Sequence, residues 1–318
     1  MPRFNIRHVT KYTYNAPVRD SANQIVLFPI RDEFQELAKQ DLQISGEPDL
    51  DIYRDYYGNE IGSFMNAEPH MELVIDSRVQ VVTRARPMPE DMMSAEAQWG
   101  QLEAIKQGAP FLDFLHTEHF DAFAEVSSIS NPALQRKATP LQAARGLNQY
   151  VFDNFRYIKG LTSVETTLDE AWKLKAGVCQ DFAHILLVML RLLGVPARYV
   201  SGYICPHDSG MRGEGATHAW VEAYIPSYGW LGLDPTNNCF VNDLHVRLAV
   251  GRNFADCSPV RGTYKGEAEH ALEVAVTVSY EDGKTVDVQA TVITSLPAKN
   301  GSAQNSYQRY MEMIQQQQ

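Results

Sequence analysis

The sequence predicts an α+β protein in which an all-β, sandwich-like domain precedes a core of one central helix packed on an antiparallel sheet. Three observations carry that expectation. Residues 1 to about 85 alternate apolar and polar positions in short runs, the period of a strand with one buried face. Between Gln180 and Leu193 the chain is apolar nearly all round, as a helix buried on every side must be. Three strand-like runs follow that helix closely: Arg198–Ile204, His218–Ile225 and Trp230–Asp234.

In order along the chain, Phe4–Tyr14 alternates and ends in aromatic residues, and similar runs lie at Gln24–Leu27, Gln40–Ile44, Glu60–Met65 and Met71–Thr83. Asp55-Tyr-Tyr-Gly-Asn59 carries turn chemistry between two of them. Short strands separated by such turns predict a sandwich over residues 1–88. Arg86-Pro-Met-Pro-Glu90 breaks the pattern, and 89–136 reads as a linking region with short helical pieces. Thr139-Pro140 then opens a helix, with threonine as its cap and proline at its first position. Thr167-Leu-Asp-Glu170 fits a capping box and opens a short helix carrying Trp172. The central helix stops at Gly194 and Pro196. Pro226–Gly229 makes a tight turn between the last two core strands, which places the core at 137–265. Leu272–Tyr280 and Thr285–Thr294 read as a hairpin within 266–296, and 297–318 as a polar, fraying tail.

At 318 residues the chain can build two sizeable cores. Lys+Arg 28 against Asp+Glu 39 gives a formal charge of −11 without a basic run, which argues against nucleic acid as a partner. No stretch is long and apolar enough to span a membrane, and the first residues lack a signal core, so a cytoplasmic location is expected. Four cysteines without a C-x-x-C pair argue for free thiols rather than disulfides, zinc or thioredoxin chemistry.

Cys179 is the candidate nucleophile. It follows the turn Ala176-Gly177-Val178 and begins the central helix, where unpaired N–H groups and the helix dipole favour thiolate over thiol. His218 and Asp234 follow 39 and 16 residues later, each near a strand end. Cysteine, histidine and aspartate in this order are the parts of an activated thiol, with His218 as base and Asp234 as the group that orients it. Backbone N–H groups at the helix end, that of Cys179 included, are candidates for an oxyanion hole. Each residue also has a plainer reading. A cysteine starting an apolar helix is commonly a small hydrophobe, a strand histidine is commonly structural, and Asp-Pro-Thr is commonly a turn. The combination, rather than any member, points to a triad. His184 reads as a satisfied core histidine, Asp181 as a complement to the helix dipole, and Trp172 as either channel wall or core. No histidine or cysteine pair has metal-ligand spacing, so neither metal nor cofactor is expected. The glycine-bearing loop 205–216, just before His218, is expected to form a mobile rim.

The runs Thr167-Leu-Asp-Glu-Ala-Trp172, Gly177-Val-Cys-Gln-Asp-Phe-Ala-His184, Leu193–Tyr203, His218-Ala-Trp-Val-Glu222 and Gly232-Leu-Asp-Pro-Thr236 resemble the bacterial transglutaminase-like superfamily, a group assigned as cysteine proteases. His8–Tyr14, Asp55–Asn59 and Pro69–Leu73 resemble the β module that precedes such cores, and Val250–Asp256 with Pro259–Gly262 resembles the end of the core. The resemblance spans residues 3–280. It implies a papain-like α+β core and a Cys–His–Asp triad at Cys179, His218 and Asp234. It leaves the reaction open, since members crosslink, deamidate, hydrolyse peptides or are uncharacterised. A thiol acyl transfer on a protein or peptide amide is therefore expected, with hydrolysis favoured over aminolysis because no dedicated amine site is visible. The competing reading is a catalytically silent binding or scaffold protein that keeps the fold. Oligomeric state is not legible.

Overall fold

The computed structural model describes residues 1–117, 120–131, 136–162, 166–205, 211–213, 217–280, 285–287 and 291–294. The sixteen strands among them are β1 (Arg3–Ile25), β2 (Gln35–Ile44), β3 (Leu50–Arg54), β4 (Glu60–Asn66), β5 (His70–Thr83), β6 (Arg156–Tyr157), β7 (Ala176–Gly177), β8 (Ala197–Ile204), β9 (Thr217–Ile225), β10 (Gly229–Asp234), β11 (Cys239–Phe240), β12 (His245–Gly251), β13 (Val260–Lys265), β14 (His270–Tyr280), β15 (Thr285–Asp287) and β16 (Thr291–Thr294). The principal helices are Ala95–Ile105, Phe123–Ile129, Pro140–Asn154, Leu168–Leu174 and Cys179–Leu193. The expected mobile rim falls mostly at 206–210 and 214–216, and the polar tail at 297–318; these lie outside the described residues.

β1 organises the N-terminal sheet. Its first half, Phe4–Tyr14, is flanked by β5 on one side and β14 on the other. Its second half, Ser21–Ile25, is flanked by β4 and β13. The register shifts between Thr13 and Val18, and Asp20 has a left-handed φ of 47°, so the strand bends from one layer into the next. The alternation in Phe4–Tyr14 therefore extends into a single strand of 23 residues. β14 comes from the far end of the chain, so this sheet is closed by residues distant in sequence.

The core sheet runs β11-β10-β9-β8-β12, with every neighbour antiparallel. The Cys179–Leu193 helix packs on one face, against Val221, Ala223 and Ala249 among others. The other face meets the N-terminal sheet: Tyr203, Val246 and Leu248 share a core with Phe4, Ile6 and Val276. A sheet covered on both sides buries nearly every residue, and all seven residues of β12 are buried. Both predicted capping residues act as such. Thr139 Oγ1 accepts from Gln142 N at 3.2 Å, and Thr167 Oγ1 accepts from Glu170 N at 3.3 Å. The central helix ends on Gly194, in the left-handed conformation that glycine tolerates.

β12 is an edge strand, and an edge leaves backbone groups to be satisfied. Here the N-terminal module satisfies them. The Gln35 amide donates to Arg247 O at 2.8 Å and accepts from Arg247 N at 2.8 Å. The Asn59 amide does the same at Val250, with both bonds at 2.8 Å. Asn59 is the last residue of the Asp55–Asn59 turn, and Asp55 holds it through its backbone N–H and its amide.

Candidate active site

Cys179 is the first residue of its helix and is half-buried. The preceding turn is fixed by Asp181, whose Oδ2 accepts from Val178 N and from Thr162 Oγ1, each at 2.7 Å. Gly177 is required there, because a Cβ at that position would stand 2.3 Å from Asp181 Oδ2. Parallel pairing of β6 with β7 puts Tyr157 opposite Gly177, beside the cysteine turn. Asp181 is thus a cap and a loop tie. Its burial raises its carboxyl above the ordinary range, against hydrogen bonds that lower it.

His218 lies at the start of β9 and Asp234 at the end of β10, brought together by the Pro226–Gly229 turn and the antiparallel register. His218 Nε2 donates to Asp234 Oδ2 at 2.8 Å, and both side chains are fully buried. Burial opposes a charged His218, but the Asp234 carboxylate, by charge and hydrogen bond, and the Cys179 sulfur together raise its pKa to about 10. Burial likewise opposes a charged Asp234, and His218 and His245 outweigh it, holding the carboxyl far below the ordinary range. The facing nitrogen, His218 Nδ1, meets no full hydrogen-bond geometry among the described residues, although the thiol acts on the ring. Thiol–imidazole contacts are commonly loose before substrate tightens them. Gly213, at φ +84°, comes close to this edge of the ring, where a Cβ would stand 2.5 Å from Nδ1.

The sequence reading missed how fully Asp234 is held. Its Oδ1 accepts from Thr236 N at 2.9 Å and Asn237 N at 3.2 Å. Its Oδ2 accepts from Asn237 Nδ2 at 2.8 Å besides His218, and His245 Nε2 stands 3.4 Å away. His245, from β12, carried no local signal beyond being a histidine shortly after the aspartate motif. His184 is half-buried and accepts from Phe254 N at 3.2 Å; its enclosure among protein atoms and Arg191 push its pKa down to about 4. Trp172 is core, its Nε1 donating to Glu125 at 2.8 Å. Glu222 is buried and paired with Arg198, so the last residue of the His218–Glu222 motif serves the scaffold. All four cysteines are free, and burial raises the thiols of Cys205, Cys239 and Cys257.

His218, Asp234 and His245 offer ligand-type atoms within 4.8 Å of one another. His218 Nε2 nevertheless sits at hydrogen-bond distance from Oδ2, so a proton occupies the space a metal would need. The cluster fits a hydrogen-bonded carboxylate better than an ion.

Residues 127–235 match the model of the transglutaminase-like superfamily, and residues 4–82 match that of the bacterial transglutaminase-like N-terminal region. The chain belongs to the transglutaminase-like superfamily. An uncharacterised protein of Mycobacterium bovis is 32% identical over 87% of this chain and 92% of its own length. A protein-glutamine gamma-glutamyltransferase of Pseudomonas aeruginosa is 26% identical over 46% of this chain, but over only 21% of its own length. Among solved structures, a "putative cysteine protease" from Cytophaga hutchinsonii superposes with a TM-score of 0.68 at 19% identity, covering 92% of this chain and 98% of that one; it supports the fold. No helix of the described residues is long and apolar enough to cross a membrane.

Proposed function

We propose that the protein is a thiol acyl-transfer enzyme acting on the amide bonds of proteins or peptides, with Cys179 as nucleophile, His218 as acid and base, and Asp234 as its orienter. The observation that carries this reading is the fully buried His218–Asp234 hydrogen bond at 2.8 Å beside a helix that begins with Cys179. In the first half-reaction the Cys179 thiolate adds to the amide carbonyl carbon. The tetrahedral oxyanion collapses as His218 passes its proton to the leaving nitrogen, and ammonia or an amine departs from a thioester. In the second, water or an amine loses a proton to His218 and attacks the thioester, and Cys179 leaves as thiolate. Asp234 keeps the proton on Nε2, so that Nδ1 is the nitrogen that exchanges protons. The Cys179 N–H at the helix start is suited to receive the developing oxyanion. The amide of a glutamine side chain is the first donor to test, given the named activity of the Pseudomonas relative.

The deciding experiment is mass spectrometry of glutamine peptides, with and without primary amines, scoring deamidation, cleavage and amine incorporation separately, with Cys179→Ala as control. Native iodoacetamide labelling should modify Cys179 before Cys205, Cys239 or Cys257. Labelling of another thiol first, or turnover by Cys179→Ala, overturns the assignment.

A further inference from the structure

We propose that His245 is a positioning residue for the triad: its Nε2–H, delivered by β12, holds Asp234 Oδ2 in the orientation that serves His218. The inference deepens the proposed function and rests on that reading. His245 is buried and its Nε2 lies 3.4 Å from Oδ2, the same oxygen that accepts from His218 at 2.8 Å. Its Nδ1 lies 3.4 Å from the Asn242 N–H, a donor, and 3.1 Å from Asn242 Oδ1. The neutral ring that accepts from Asn242 N, and the charged ring that donates to Oδ1, both keep the proton on Nε2. The remaining tautomer would aim a bare lone pair at a buried carboxylate. The ring is also fixed edge-on against Trp220, at 5.3 Å and 77°, and Trp220 packs in turn beside His218.

The strand that delivers His245 is itself held from outside. Gln35 and Asn59 clamp Arg247 and Val250 along its outer edge with two bonds each, and Ile30 N adds a fifth, to Arg247 O at 3.0 Å. The turn that presents Asn59 belongs to the motif Asp55–Asn59, whose role the triad alone leaves unexplained. The N-terminal module thus acts on the site through one strand and one histidine. Asp234, His218 and Asp243 are the ionisable groups that act on the His245 ring; burial, with His218 on its side, outweighs the two carboxylates and lowers its pKa.

The test uses the full chain and two polar variants. The amide nitrogen of His245→Gln reaches about as far as Nε2, whereas that of His245→Asn reaches only about as far as Nδ1. The readout is the pH profile of Cys179 alkylation, with melting temperature measured alongside. We expect His245→Gln to keep the wild-type midpoint. In His245→Asn the midpoint should move up by about one pH unit, because a loosened Asp234 stabilises the imidazolium–thiolate pair less. A His245→Asn profile equal to wild type, or a His245→Gln profile as displaced as that of His245→Asn, overturns the proposal. Nitrogen NMR of the wild-type protein provides an independent measurement should a variant not fold: Nε2 of His245 must be protonated at neutral pH, and a bare Nε2 refutes the contact. If the wild type alkylates another thiol first, the proposed function fails, and the NMR measurement still decides the His245–Asp234 contact.

Discussion

Asp234→Asn tests the triad through the hydrogen bonds that hold the carboxylate. Buried between two strands and a turn, it accepts at both oxygens: two backbone N–H groups at Oδ1, and His218, Asn237 and His245 around Oδ2. An amide must put an NH2 at one of those places. Placed at Oδ1, it orphans two backbone donors, at roughly 1–3 kcal/mol each. Placed at Oδ2, it meets His218 Nε2 as a donor, which is relieved when the imidazole moves its proton to Nδ1. That tautomer cannot accept the Cys179 proton. Restoring the working tautomer therefore requires roughly 2–6 kcal/mol, so acylation should slow by about 30-fold to 10⁴-fold, at about 1.4 kcal/mol per decade. The assay is single-turnover thioester formation followed by intact mass, with circular dichroism and melting temperature as folding controls. A folded variant that acylates within about tenfold of wild type would refute the reasoning.

Further outcomes follow from the same geometry. Folding raises the pKa of His218 from 6.5 to about 10, so its stabilisation is complete below pH 6.5 and is lost as pH rises through about 10. Burial lowers the pKa values of His8 and His184 to about 4, so the unfolded chain takes up their protons first and stability falls as pH drops from 6.5 towards 4. Urea denaturation should therefore give its maximum from these histidines near pH 6.5, and a stability that climbs steadily up to pH 10 would contradict it. Asn59→Ala leaves the buried Val250 N–H and C=O without their partner and should lower unfolding free energy by about 2–5 kcal/mol; a change within about 0.5 kcal/mol would show that the edge is satisfied otherwise. Gly213→Ala puts a methyl group 2.5 Å from His218 Nδ1 and should slow Cys179 acylation about tenfold or more, and unchanged single-turnover kinetics would show that the backbone yields.

The helix, the three core strands and the residues at their ends were legible because each signal was local. Thr139-Pro140, Gly177, Gly194 and Pro226–Gly229 mark boundaries through their own backbone chemistry, and the antiparallel register then brings His218 to Asp234. What escaped was whatever depends on contacts distant in sequence. β3 was not recognised, since Leu50–Arg54 is an edge strand exposed along most of its length and shows no alternation. β1 read as separate pieces because the register shift after Thr13 interrupts its period. β12 is buried on both faces, so nothing in His245–Gly251 alternates, and the clamp from Gln35 lies 212 residues away in the chain. His245 was invisible for the same reason.

The pairing of β1 with β14 bears on how the molecule is made. A ribosome delivers Phe4–Tyr14 long before His270–Tyr280, yet these lie side by side. Until His270–Tyr280 is made, one flank of β1 has no native neighbour, and an open strand flank is a template for pairing with another chain. Stop codons or proteolysis before residue 270 would leave that flank permanently bare, beside a core whose Cys179, His218 and Asp234 are already present. Chains cut short before residue 270 should therefore be lost to aggregation, so that the N-terminal sheet is found folded only together with the strand that covers β1.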